Sequence, residues 1–175
     1  MDITTKLITA AEKLFDRNGY KATGMDRLTE AAGMSSRTLY KHAGSKAALM
    51  ASVLTERDRR FMRRLEVRTV DALFAALDDW VRVEGTRGCL FLRARAETGG
   101  DTPEIAEAVA AHKEAFRERI VDVVAVDIGG GGDPDLAEQI IVLLEGATHA
   151  AVYRGADAIA SARTAASILV ERAQS

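Results

Sequence analysis

With 175 residues, 47% of them apolar and 29% charged, the chain has the balance of a stably folded water-exposed protein, long enough for a small domain joined to a larger one. No apolar run approaches the roughly 18 residues that span a bilayer, the N-terminal Met-Asp-Ile-Thr-Thr-Lys lacks a signal-peptide core, and Cys89 alone builds no disulfide framework; a cytoplasmic protein without a membrane partner is expected. The net charge of −2 is unevenly shared, since residues 1–50 hold eight Lys/Arg against five Asp/Glu, a net +3, and residues 51–175 hold sixteen against twenty-one, a net −5. A mildly basic N-terminal part on an acidic body suits a reader of nucleic acid attached to a separate sensing or dimerising part.

Ile3, Leu7, Ile8, Ala11, Leu14 and Phe15 recur at helical spacing, which predicts a first helix over residues 2–18, ended by Asn18-Gly19. A second helix is expected over residues 23–32, capped by Thr23, with Met25, Leu28 and Ala32 on its inner face. Gly33 then supplies the left-handed backbone of a helix stop, and Ser35 can cap a third helix running to His42. Helix, three- or four-residue turn, helix is the spacing of a DNA-reading helix-turn-helix.

The third helix carries the chemistry. Leu39 is needed inside, while Ser36, Arg37, Thr38, Lys41 and His42 can point outward as a short donor-rich surface. A guanidinium at Arg37 can meet O6 and N7 of guanine in a bidentate pair. Tyr40 can rest its ring on the fold and extend its hydroxyl to a phosphate; Lys46 stands in the first turn of the next helix, whose amides Ser45 caps. With Thr23 and Ser35 these residues form the candidate DNA-contacting set. The plain alternative is a solvated helix face, with His42 capping a helix C-terminus.

The order Gly19-Tyr20, Ala31-Ala32-Gly33-Met34-Ser35, Thr38-Leu39-Tyr40-Lys41-His42 and Gly44-Ser45-Lys46 resembles the DNA-binding domain of the TetR family of one-component transcriptional regulators. The resemblance covers about the first 50 residues closely, and beyond them only the helical plan. It departs at Ala43, where the family usually has a bulky aromatic; Met50 or Met34 are candidates to fill that volume. The resemblance implies an all-α fold of about nine helices, with a three-helix head over residues 1–48 and a ligand-binding and dimerising body over residues 49–175.

Apolar periodicity in the body predicts helices over residues 46–65, 69–84 and 89–97, then one opening at Thr102-Pro103 with a buried stripe through Ile105, Val109, His112, Phe116, Ile120 and Val123. Gly129–Gly132 has no phosphate-loop Lys-Ser or Lys-Thr after it and is expected to be a linker. Two more helices follow, over residues 134–153 and 158–173, capped by Asp133 and Asp157. The first is apolar almost all round, so one side is expected against its own core and the other against a second copy; the resemblance likewise implies a homodimer paired through the last two helices.

Polar groups on buried stripes mark where a small-molecule effector could sit. His112, the i, i+4 pair Glu145 and His149, and Arg95 with Glu97 are the candidates, with Trp80, Phe91, Phe116 and Tyr153 as aromatic walls. Each polar group could equally hydrogen-bond inside the core. No metal site and no cofactor are expected, although Glu145 and His149 with His112 or Glu97 leave open a metal-responsive regulator, and Cys89 near Arg87 or Arg93 a redox-responsive one. An enzyme is not expected, there being no nucleophile elbow and no dinucleotide fingerprint. The expected function is a regulator, a repressor released from a palindromic operator on double-stranded DNA by a largely hydrophobic molecule. A helical protein-binding module without DNA activity is the remaining alternative.

Overall fold

The computed structural model describes residues 2–175, and among these the chain is all-helical, with nine helices. They are α1 (Ile3–Asn18), α2 (Met25–Ala32), α3 (Ser36–Ala43), α4 (Lys46–Arg64), α5 (Val70–Val83), α6 (Leu90–Thr98), α7 (Pro103–Asp127), α8 (Pro134–Arg154) and α9 (Ala156–Gln174). Side chains cap several of the helix starts, at Asp133 as the sequence indicates and also at Thr69. Thr69 Oγ1 caps α5 through the Ala72 amide, and Asp133 caps α8 through the Leu136 amide with Pro134 in the first turn.

Two expected caps are absent. Thr23 does not cap α2: Gly24 stands at the cap without a side-chain hydrogen bond, because the Thr23 hydroxyl is turned inward to the Gly19 carbonyl at 2.7 Å. Asp157 does not cap α9. Gly155 both closes α8, through its amide on the Ala151 carbonyl, and opens α9, which leaves Asp157 inside the first helical turn. There its charge still favours the positive end of the helix dipole.

The chain forms two compact units. One comprises Met1–Arg59 with Leu90–His112, the other Arg60–Cys89 with Lys113–Ser175. These units divide the chain differently from a boundary after residue 48, since α6 and the start of α7 pack with the head helices.

In the first unit, α1, α2 and α3 pack on one another around Leu7, Ala11, Phe15, Leu28, Ala32 and Leu39, all essentially inaccessible to solvent. Leu49, Met50, Val53 and Leu54 of α4 are equally enclosed. Arg57 is the charge among them: its guanidinium meets Glu12 of α1 at 2.8 Å, with side-chain exposures of only 5% and 14%. Asp58 of the same helix pairs with His112 of α7 at 2.7 Å, and Phe91 of α6 stacks on that imidazole with centroids 3.7 Å apart.

The second unit is a separate apolar core, in which α8 packs on α9 and both pack on α5. Its buried set includes Leu73, Phe74, Leu77, Ile120, Ile140, Leu144 and Ile159, with Ala137, Ala147, Ala151, Ala158 and Ala166 small enough to let the helices approach closely. Phe61 lies between Trp80, at 5.1 Å, and Phe116, at 5.9 Å. Arg60 closes this region through the Glu84 carboxylate at 2.9 Å.

The Arg57–Glu12 pair is shielded, so removing one partner strands the other charge. Arg57→Ala is expected to lower unfolding stability by about 3–5 kcal/mol, read as the change in a urea unfolding curve. A loss below about 1 kcal/mol, typical of a solvent-screened pair, would show that the pair does not hold α4 to α1.

Candidate nucleic-acid interface

The surface that presents α3 begins at the end of α2. Gly33 sits at φ 62 and ψ 43, its amide donates to the Glu30 carbonyl, and the Met34 amide donates to that of Thr29. This double closure is a Schellman stop, which an L side chain resists at that φ. Ser35 follows in extended conformation, and its Oγ accepts the Thr38 amide at 3.1 Å while lying 2.9 Å from the Thr38 hydroxyl. Ser35 and Thr38 therefore spend much of their hydrogen-bonding capacity on starting the helix.

Leu39 alone of α3 is buried, and it anchors the helix to the core. Ser36, Arg37, Tyr40, Lys41 and His42 are all exposed, Tyr40 by 51%. Five side chains with donor capacity thus share the free surface of a two-turn helix. His42 Nδ1 lies 3.4 Å from the Thr4 hydroxyl at the start of α1, so its imidazole also ties the two helix ends together. Beside the start of α3 lies an open depression of about 520 Å³ lined by Asp26, Thr29, Glu30, Gly33, Met34, Ser35 and Ser36. Its two carboxylates disfavour phosphate, so the donor-bearing face is that of α3 itself.

Thr23, expected among the contacts, is corrected by its burial. It is 0% exposed, and its hydroxyl is held inside the α1–α2 corner, so it supports the head from within. Lys46 is half-buried: its ammonium lies 4.4 Å from the centre of the Tyr20 ring and 3.5 Å from the Lys21 carbonyl. Burial pushes the Lys46 ammonium below the ordinary lysine range, and the nearby Glu97 carboxylate works the other way. Burial also raises the Tyr20 phenol, with the charge of Glu104 adding to it. Met50 is fully enclosed and Met34 half-buried, while Ala43 itself is half-exposed.

The candidate effector residues are divided between the two units. Trp80 and Phe116 meet around Phe61 in the second unit, where Glu145 pairs with Lys113 at 2.8 Å. Phe91 and His112 belong to the first unit and pack on each other. Three residues lie outside any interior. Arg95 is exposed because Leu90, Phe91 and Ala94 take the buried face of α6, and His149 and Tyr153 are exposed because Ile140, Leu144, Ala147 and Ala151 take that of α8. Glu97 has a different task, accepting the Lys21 amide at 2.8 Å. Cys89 is a half-buried free thiol, and among the described residues no group of three or more His, Cys, Asp or Glu side chains is placed to hold a metal ion.

Sequence reasoning missed Asp16, Arg57, Glu12 and Arg93 as supports of the head. Arg93 donates to the Asp16 carboxylate at 3.1 Å and to its carbonyl at 2.7 Å. The available signal was Arg93 and Glu97 four apart on one short helix, two charges that share a face.

The all-helical architecture and the exposed, serine-capped α3 after a glycine stop define a helix-turn-helix protein. Residues 7–53 match the family described as bacterial regulatory proteins, tetR family. The chain is 28% identical over 134 residues to the HTH-type transcriptional activator FasR of Mycolicibacterium smegmatis, a match covering 71% of this chain and 59% of that protein's length. It is 27% identical over 160 residues to the HTH-type transcriptional regulator TcmR of Streptomyces glaucescens, covering 85% and 70%. The crystal structure of SCO4454, a TetR-family transcriptional regulator from Streptomyces coelicolor, shares the fold with a TM-score of 0.88 at 24% identity, over 99% of this chain and 96% of that one. The match to the tetR family is thus one of residues 7–53, and the whole chain shares the fold of a TetR-family structure.

Because Thr23 is enclosed, its hydroxyl is worth measuring by stability. Thr23→Val removes the donor to the buried Gly19 carbonyl and is expected to cost about 1–3 kcal/mol in chemical denaturation. Unchanged stability would mean that the corner does not depend on this bond.

Proposed function

We propose that the protein is a DNA-binding transcriptional regulator acting as a homodimer, in which each α3 reads half of a palindromic operator. The observation that carries this reading is α3 itself: one apolar side chain anchors it, and Ser36, Arg37, Tyr40, Lys41 and His42 are left exposed together. A helix of this kind fits the major groove, where Arg37 can read guanine and Lys41 can meet phosphate. The basic charge of residues 1–50 supports the same reading.

Dimerisation is supported by α8 and α9. Val142 is 63% exposed, Val152 49%, Tyr153 73% and Ile168 62%, an apolar surface that a second copy can cover through a twofold contact. Two heads then address half-sites about one helical turn, roughly 34 Å, apart. The effector is assigned to the aromatic group Phe61, Trp80 and Phe116 of the second unit, which suits a largely hydrophobic molecule. Its binding shifts the population of dimers whose heads match the operator. Repression is the assigned mode of action, since a bound dimer occludes whatever its site overlaps.

Selection from a random pool of duplexes tests the reading, and the expected product is a palindrome bound by the wild-type chain. Arg37→Ala is expected to relax preference at one position per half-site, a loss of about 1–3 kcal/mol of discrimination; a pool that yields no enriched sequence refutes it. FasR is named an activator, so the sign of control is read from a promoter carrying the selected site. Expression that rises when the regulator is deleted supports repression, and expression that falls overturns it. Val142→Glu is expected to turn a dimer into a monomer in analytical ultracentrifugation, whereas a dimer that survives the charge places its interface elsewhere.

A further inference from the structure

The seat of Lys46 is a corner of backbone, residues 19–21, which the Thr23 hydroxyl holds from within through the Gly19 carbonyl. Gly19 is at φ 87, the Lys21 carbonyl receives the Lys46 ammonium at 3.5 Å, and the Tyr20 ring lies beneath that ammonium. The other side of the same residue is held by α6: the Lys21 amide donates to Glu97 Oε2 at 2.8 Å. Gly19 has no side chain in the way, since a Cβ there would lie 2.8 Å from Glu97 Oε1. One turn earlier on α6, Arg93 grips the carbonyl and carboxylate of Asp16, near the end of α1. Helix α6 therefore brackets the corner, with Arg93 before it and Glu97 after it.

We propose that Glu97 is a positioning residue for DNA binding, fixing the corner whose carbonyl and aromatic ring seat Lys46 and thereby setting where that cation meets phosphate. The inference rests on the DNA-binding function proposed above. A lysine stem left free samples many rotamers and delivers its charge to phosphate only part of the time. A seated one is pre-organised, and its contact is sequence-independent. The opposing effect is electrostatic: a carboxylate near a phosphate-binding cation repels the duplex, so charge alone would make loss of Glu97 tighten binding. Two substitutions separate these effects. Glu97→Ala removes both charge and hydrogen-bond acceptor, whereas Glu97→Gln removes the charge and keeps an acceptor for the Lys21 amide.

The full-length protein would be titrated against a fluorescent duplex of about 30 base pairs and arbitrary sequence, and against the selected operator, between about 50 and 200 mM KCl. Glu97→Ala is expected to weaken binding to both duplexes by roughly three- to tenfold and to lower the slope of log affinity against log salt by about one. Lys46→Ala is expected to do the same, the double variant no more than either single one, and Glu97→Gln to stay within about twofold of wild type. A loss of general packing would not move the salt slope. Should Glu97→Ala fail to fold, Glu97→Asp serves in its place, because the shorter carboxylate keeps the charge but falls short of the Lys21 amide. Tighter binding by both the Ala and Gln variants overturns the proposal, as do independent effects of Glu97 and Lys46 that multiply in the double variant. Wild-type protein that binds neither duplex instead removes the DNA-binding function itself.

Discussion

The exposure of α3 depends on the backbone at Gly33. Its left-handed conformation lets the amides of Gly33 and Met34 turn back onto α2, so α2 ends with those carbonyls satisfied and the chain changes direction within two residues. Ser35 then starts the next helix at once, and Leu39 is the side chain that goes inside. A residue with a Cβ at position 33 would meet no crowded neighbour, since only the Lys6 ammonium comes near, at 3.5 Å. The constraint is therefore conformational and local: an L residue pays for the left-handed region in its own backbone.

Around that turn the head is held by polar contacts as much as by its apolar centre. Three hydrophobic residues of α1, Leu7, Ala11 and Phe15, supply the packing. Charged groups fix the angles: Glu12 takes Arg57 of α4, and Asp16 takes Arg93 of α6. Hydrophobic burial is non-directional, whereas a guanidinium fork accepts only a few geometries. Among the described residues no buried side-chain nitrogen or oxygen lacks a hydrogen-bond partner, so this polar scaffold carries no unmet desolvation cost.

The helices and their order were legible in the sequence because apolar periodicity and glycine stops are local signals. The stripe from Ile105 to Val123 is buried as its spacing indicates, and Ser35 and Asp133 cap as their types suggest. Thr23 and Asp157 show the limit of such signals, since each has the right chemistry next to a helix start. In one case a carbonyl four residues back competed for the side chain, and in the other a glycine had already opened the helix. The surface of α3 was readable for the same reason as its helix, the position of Leu39. The supports of Lys46 were not, because Glu97 and Lys21 are 76 residues apart and nothing local in either segment announces the other.

The connection between α7 and α8 has a different kind of freedom. Gly129, Gly130, Gly131 and Gly132 all have positive φ, and a methyl group added to any of them would touch nothing within 4 Å. The restriction on this loop is therefore one of torsion and not of room. Its length can drift during evolution more readily than its composition: extra residues would extend into open space at a closure entropy that grows only logarithmically, whereas replacing the existing glycines one by one would strain the path they now follow. A reporter peptide or a fluorophore attachment site could accordingly be spliced in here, on a stretch that takes no part in either core.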